Sequence, residues 1–318
     1  MPLPDFLIIG APKAGTTALY AALRAHPEIF MSPVKEPRFF LCDPDTPPPR
    51  RGGPGDAQTY QEYVWRRGDY EALFAAAPPG SVKGEASPFY LWDRAAHRRI
   101  RQLIPHAKLI AVLRDPIERA YSNWAHLYSA GLETHDLLSA CEQEPARVRA
   151  GWAPFWRYVE LGRYGEQLRD LYRVFPRERV LVLRYRDLRE RPADVLDDIA
   201  RFLGVRTGTI CEIPVENVRP HPPENRRARA LTAVLRMGSR IGHLFPPRLR
   251  ELARTPLLGA LHREAGPRPP LTAAQRAVLL RYFEADIALL EEVTGQSFES
   301  WRTANAGSEG ALLATIPR

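Results

Sequence analysis

FLIIGAPKAGTTALY, residues Phe6–Tyr20, is the stretch around which the chain is organised. Four apolar residues, Phe6 to Ile9, run into Gly10, Pro12 and Gly15, and a helix-compatible segment opens at Thr16 and Thr17. The pattern predicts strand, tight loop, helix. Backbone N–H groups of such a loop converge on one point, and the first helical turn adds unpaired donors and the positive end of its dipole, so the loop suits an anion. Lys13 adds a mobile charge, and Thr16 and Thr17 add hydroxyls. A Walker A loop carries its Lys after the second glycine, whereas Lys13 precedes Gly15. This loop is not built like that of a nucleotide triphosphatase.

Working outward, the first helix is predicted over roughly Thr16 to Ala25, followed by HPEIFMSPVKEPRFF, in which Pro27, Pro33 and Pro37 keep the chain extended or turning. Ile29, Phe30, Phe39 and Phe40 flank the Lys35–Glu36 pair and are expected to screen Glu36 from water; a surface Lys–Glu turn is the alternative. Residues 43–57, rich in Pro and Gly, read as a loop, either a substrate lid or a plain insertion. A short helix is expected over Asp69–Ala77 with Asp69 as its cap, then a strand around Val82–Glu85 and a helix from Asp93.

In AKLIAVLRDPIERAYSNWAHLY the run Leu109–Leu113 has the continuous apolar character of a buried parallel strand. It ends in Arg114, after which Asp115 caps and Pro116 opens a helix. Arg114 at the strand end and Ser122 on the helix are placed to converge on one phosphate, the fork supplying charge and the hydroxyl a further donor. A structural Arg–Asp contact is the alternative. RVLVLR at 179–184 reads as another buried strand, followed by a helix from about Asp194 to Leu203. ENVRPHPPENRRARA is a basic loop running into a helix, and Leu271–Thr294 is expected to be one amphipathic helix capped by Thr272 and stopped by Gly295. Strands alternating with helices predict an α/β fold, one parallel sheet covered on both faces, with Lys13, Glu36 and Arg114 gathered at the carboxyl ends of its strands.

The 318 residues suffice for one large α/β domain or two small ones. A single domain over 1–302 is expected, with a frayed tail over 303–318. The net charge of +8 fits a nucleic-acid or membrane surface, or a pocket for a polyanionic small molecule. Arginine dominance, with only Lys13, Lys35, Lys83 and Lys108 as lysines, has the look of GC-rich coding. Cys42, Cys141 and Cys211 are odd in number and not in metal or redox spacing. With no basic-then-apolar leader and no membrane-length apolar run, a cytoplasmic protein is expected.

Taken together, the opening stretch, SPVKEPRFF, GEASPFYL, KLIAVLRDPIERAYSNW, GRYGEQL, VLVLRYRDL and the helix ending near Trp301 resemble the sulfotransferase family, in the family's order, over about residues 5–302. The KEP-x-FF string is similar to the branch that includes heparan sulfate and bacterial sulfotransferases. The resemblance implies a three-layer P-loop-like fold and 3′-phosphoadenosine 5′-phosphosulfate (PAPS) as donor, with 3′-phosphoadenosine 5′-phosphate (PAP) as product and no metal. It implies that Lys13, Ala14, Gly15, Thr16, Thr17 and Ala18 hold the 5′-phosphosulfate, Arg114 and Ser122 the 3′-phosphate, and Tyr185 the adenine. Arg226 or Arg227 adds to the 3′-phosphate site, Glu36 is the general base and Lys13 stabilises the leaving oxygen. Two departures stand out: Arg186 replaces an acid beside Tyr185, and Ala86 stands where heparan-type enzymes have Lys. The acceptor is expected to be a small bacterial metabolite or a carbohydrate or glycolipid, bound by loops at 41–68 and 130–160, with Trp65, Trp152, Phe155 and Trp156 forming either a partly aromatic wall or core. The rival readings are an ATP-dependent P-loop phosphotransferase and a non-catalytic nucleic-acid or phosphonucleotide binder; loop order and the scatter of basic residues argue against them.

Overall fold

The computed structural model describes residues 3–54, 62–214, 221–222, 225–241, 247–263 and 265–303. Five parallel strands lie in the order β2-β3-β1-β4-β5: β1 (Phe6–Gly10), β2 (Ile29–Met31), β3 (Val82–Ala86), β4 (Lys108–Leu113) and β5 (Val180–Arg184). β1 is central, with Phe6, Leu7, Ile8 and Ile9 fully buried, as an uninterrupted apolar run covered on both faces must be. The chain builds one half of the sheet through β2 and β3 and then crosses to β4 and β5. Its reversal therefore falls around β1, where open α/β sheets form their ligand crevice.

The helices are α1 (Thr16–Arg24), α2 (Arg67–Ala72), α3 (Arg94–Leu103), α4 (Pro116–Ser129), α5 (Leu137–Glu142), α6 (Glu144–Arg149), α7 (Tyr164–Tyr172), α8 (Tyr185–Glu190) and α9 (Pro192–Leu203). They are followed by α10 (Arg226–Ile241), α11 (Pro247–Leu261), α12 (Ala273–Leu280), α13 (Glu284–Thr294) and α14 (Ser300–Thr303). Local chemistry sets most starts. Asp93 and Asp115 accept hydrogen bonds from the first turns of α3 and α4, and Thr272 forms a capping box with Gln275.

Two expectations are corrected. Asp69 does not cap its helix, which begins at Arg67 after Arg66; Asp69 sits in the first turn, where a carboxylate still meets the positive dipole end. The expected single helix over 271–294 breaks between α12 and α13. Phe283 turns fully into the core against Gly162, where a Cβ would come within 2.8 Å of its ring. Asp286, on the first turn of α13, then accepts from the backbone N–H groups of Gly165 and Glu166 and caps α7. Burying an aromatic ring and pairing two helix-end donors outweighs the continuity of one helix.

The main core includes β1, β4, α1, α4 and α7, and a separate small cluster of Ala228, Leu235 and Leu261 joins α10 to α11. Among the described residues no helix is long and apolar enough to cross a membrane. Residues 55–57 of the loop at 43–57 and residues 304–318 of the expected tail lie outside the described residues.

Candidate active site

All five strands deliver their carboxyl ends to one edge of the sheet. After β1 the chain turns through Lys13 at φ 69° and Gly15 at φ 83° before α1 begins. Gly15 is required twice over: its φ lies in the left-handed region, and a Cβ there would come within 2.7 Å of the Tyr185 ring. The residue before α1 is Gly15, which has no side chain to cap the first-turn donors of the helix. Thr16 is buried and Thr17 exposed, and both line the cavity above the loop. Ala14 and Ala18 are buried, and the Ala14 N–H bonds back to the Ala11 carbonyl.

Beyond β2 the chain makes a second left-handed turn, with Glu36 and Arg38 both at φ 59°. Non-glycine residues there cost about 1–3 kcal/mol each. Fixed partners hold the turn: Glu36 N–H donates to the Ala86 carbonyl (3.0 Å) and Arg38 N–H to Ser87 Oγ (3.1 Å). Lys35 Nζ donates to Glu36 Oε1 (2.6 Å) and Arg38 to Oε2 (3.1 Å). Burial pushes the Glu36 carboxyl up, but the Lys35 and Arg38 charges outweigh it and hold it below the usual carboxylate range.

The aromatic screen expected around Glu36 is placed elsewhere. Phe39 stacks on Tyr70 (4.1 Å) and Phe40 meets Tyr90 edge-on (5.5 Å), all facing inward. Behind these rings Glu85 is fully buried and accepts from Tyr70 Oη (3.2 Å) and Ser87 Oγ (2.9 Å). Burial pushes the Glu85 carboxyl up to about 7. Through Ser87 this carboxyl supports the backbone of the Glu36 turn. Sequence reading missed Glu85, because a Glu near the end of a short strand gives no sign of its burial.

Beyond β4, Arg114 is buried, donates to the Lys13 carbonyl (3.5 Å), approaches Glu118 (3.7 Å) and lies over the Tyr185 ring (4.9 Å). Asp115 pairs with Arg276 from α12. Ser122 stands one turn beyond Glu118 on α4, partly exposed, whereas Arg119 and Asn123 are buried and bonded to each other. Arg226 and Arg227 are exposed on the first turn of α10. A further arginine near Arg114 is Arg268, seated over the Tyr121 ring (4.1 Å), where burial and the nearby Arg114 charge hold its pKa below the usual range. The string GPRPP around it gave only a loop signal.

Lys13, Gly15, Thr16, Thr17 and Glu36 line one cavity of about 440 Å³. Its remaining wall includes Arg38, Arg51, Tyr63, Trp92, His126 and Phe155. His126 is four residues beyond Ser122 on the same face of α4. Of the four aromatic residues expected in the acceptor wall only Phe155 lines this cavity; Trp152 and Trp156 pack around Arg147, and Trp65 holds Arg66. The loop at 43–57 contributes Pro49 and Arg51 and is tied to the 150s by a bridge between Gly52 and Trp152. Lys83 pairs with Asp5 at the amino end of the sheet, away from the site, and Ala86 is fully buried. Among the described residues no group of three or more His, Cys, Asp or Glu is placed to hold a metal ion.

Comparison with known proteins agrees with this architecture. A family model described as the sulfotransferase family matches residues 4–208. Human bifunctional heparan sulfate N-deacetylase/N-sulfotransferase 3 is 29% identical over 313 residues, covering 94% of this chain and 31% of the relative. Human heparan sulfate glucosamine 3-O-sulfotransferase 6 is 30% identical over 208 residues, covering 64% and 53%. The chain thus matches about a third to a half of the length of these curated relatives. The solved structure of a sulfotransferase from Alicyclobacillus acidocaldarius superposes with a TM-score of 0.71 at 27% identity, covering 95% of this chain and all of that one. The parallel sheet with its phosphate-type loop after β1 is the sulfotransferase fold, and the chain belongs to the sulfotransferase family.

Proposed function

We propose that this protein transfers the sulfuryl group of PAPS to an acceptor hydroxyl. The observation that carries the reading is the single cavity in which the β1–α1 anion loop, Lys13 and Glu36 meet. The residues fit the donor. Gly15 lets the chain pass beneath the Tyr185 ring, leaving the uncapped start of α1 for a 5′-phosphosulfate. Arg114, Arg268 and Ser122 would take the 3′-phosphate, two guanidiniums held close together by burial being stabilised when an anion arrives. Tyr185 would support the adenine. Arg226 and Arg227, exposed on α10, remain secondary candidates.

PAPS, when bound, supplies an activated sulfuryl group on a phosphate leaving group. The protein's part is positioning and charge. Glu36, held ionised by Lys35 and Arg38, accepts the proton of the acceptor hydroxyl as its oxygen bonds to sulfur. Lys13 meets the negative charge left on the departing oxygen when the sulfur–oxygen bond breaks. Thr16 and Thr17 hydroxyls and the loop N–H groups hold the equatorial oxygens.

Tyr63, Trp92 and Phe155 with Arg38 and Arg51 give the remaining wall an aromatic and basic character, suited to a sugar or a small ring-bearing molecule with acidic substituents. A carbohydrate acceptor also follows from the heparan sulfate relatives. The arginine-rich composition and the free thiols, with burial pushing Cys42 up to about 11 and Cys141 up to about 12, fit a cytoplasmic bacterial enzyme that tailors a metabolite or glycolipid.

Calorimetric titration with PAP, ATP and adenosine 5′-phosphosulfate tests the donor. Binding of PAP alone, lost in Arg114→Ala, is the expected result. Equal or tighter binding of ATP would replace sulfuryl transfer with an ATP-dependent reaction.

A further inference from the structure

Basic residues are scattered along the chain, but their excess over acidic residues falls in one segment. The chain has 45 basic and 37 acidic residues. Nine of the former, all arginines, and one of the latter, Glu251, fall between Asn225 and Arg263, so the rest of the chain is balanced at 36 against 36. Helices α10 and α11 themselves carry eight of these arginines and Glu251, and Arg263 follows two residues after α11.

The same hairpin concentrates exposed apolar surface. The four most exposed large apolar side chains among the described residues are Leu252 (74%), Met237 (71%), Leu249 (55%) and Val234 (52%). Spacing of i and i+3 puts Val234 with Met237 on one strip of α10, and Leu249 with Leu252 on one strip of α11. Neither pair belongs to the seam between the helices, which is made by Ala228, Leu235 and Leu261 with Leu231, Leu257 and Leu258. The hairpin is anchored to the body at its base: His262 contacts Ser129, Arg236 donates to Thr134 Oγ1 and His221 stacks on Tyr128.

We propose that the α10–α11 hairpin is a docking surface for an anionic lipid bilayer, its arginines meeting headgroup phosphates while Val234, Met237, Leu249 and Leu252 enter the interfacial layer. A soluble polyanion would account for the arginines but leave the apolar strips in water. A bilayer interface takes both together. The inference rests on charge and exposure and stands independently of sulfuryl transfer.

The test is co-sedimentation of the intact protein with vesicles of phosphatidylcholine alone and of phosphatidylcholine mixed with phosphatidylglycerol, at low and high salt. Binding is expected to the mixed vesicles only and to weaken with salt. Two variants are compared with the wild type. Met237→Ser/Leu249→Ser/Leu252→Ser removes exposed apolar groups without opening the core and is expected to reduce partition at least tenfold. Arg229→Gln/Arg263→Gln is expected to reduce it by roughly fivefold per arginine. PAP titration of the same samples reports whether the body of the protein is intact.

Absence of binding to the mixed vesicles would overturn the proposal. So would unchanged binding by the triple serine variant together with tight binding to dextran sulfate, which would make the hairpin a site for soluble polyanions. Doubling of the mass in light scattering, abolished by the serine substitutions, would assign the apolar strips to a second copy of this chain and overturn it as well.

Discussion

Two left-handed turns face each other across the cavity, one after β1 with Lys13 and Gly15 and one after β2 with Glu36 and Arg38. The first is shaped by its main chain, with Gly15 at the point of closest approach to Tyr185. The second is held from below: Ser87 supports Arg38, Glu85 supports Ser87, and the Tyr70 and Tyr90 hydroxyls hold Glu85. One turn depends on local sequence and the other on residues brought from a distant strand and helix. Their carboxylates differ accordingly, Glu36 held down by two cations and Glu85 raised by burial among hydroxyls and rings.

The largest effect expected at this contrast is on catalysis. Glu36→Gln should lower kcat by about 10²–10⁴-fold while PAP affinity, measured by calorimetry, stays at the wild-type value. Near-normal turnover would show that the second turn only shapes the cavity.

Glu85 tests the buried side of the comparison. Its folded pKa, about 7, is above the unfolded carboxylate value, so the folded state binds more protons between about pH 4.5 and 7 and loses stability as pH rises through that window. Denaturant unfolding should show wild-type stability falling by about 3 kcal/mol between pH 5 and 8 relative to Glu85→Gln. Equal pH slopes for the two proteins would place Glu85 in contact with water.

Gly15→Ala tests the main-chain cradle. The left-handed φ and the Tyr185 ring at 2.7 Å from the new methyl should cost about 1–3 kcal/mol, read as roughly 10- to 100-fold weaker PAP binding. Full affinity would mean that Tyr185 yields and does not define the floor.

The smallest change is expected from Lys35→Met. With one of its two cations removed, burial gains on charge at Glu36 and its pKa rises, so the acid limb of kcat/KM moves to higher pH while kcat on the plateau changes little. An unmoved limb would leave Arg38 as the sole charge that governs Glu36.

The contrast also explains what was legible in advance. Phe6–Ile9, Leu109–Leu113 and the 180–184 strand were readable because buried parallel strands are unbroken apolar runs, and Asp93, Asp115 and Thr272 because caps are local. The three-residue β2 was too short to stand out from its prolines, and nothing in Leu271–Thr294 announced that Phe283 would leave the helix for the core. Glu85 and Arg268 were equally silent, since the burial of each is set by segments far away in the chain, Tyr70 for Glu85 and Tyr121 with Arg114 for Arg268.

By itself the sequence determined the longer buried strands, the strand–loop–helix turn after β1 and several helix starts, because these follow from short-range sterics, capping and hydrophobic period. Tertiary structure decided that Glu85 is sealed beside Tyr70 and Tyr90, that Arg268 comes near Arg114, and that α10 and α11 pack together with their apolar strips exposed. Those outcomes depend on contacts between segments far apart in the chain, where burial and Coulomb energy are set by the partner and not by the residue.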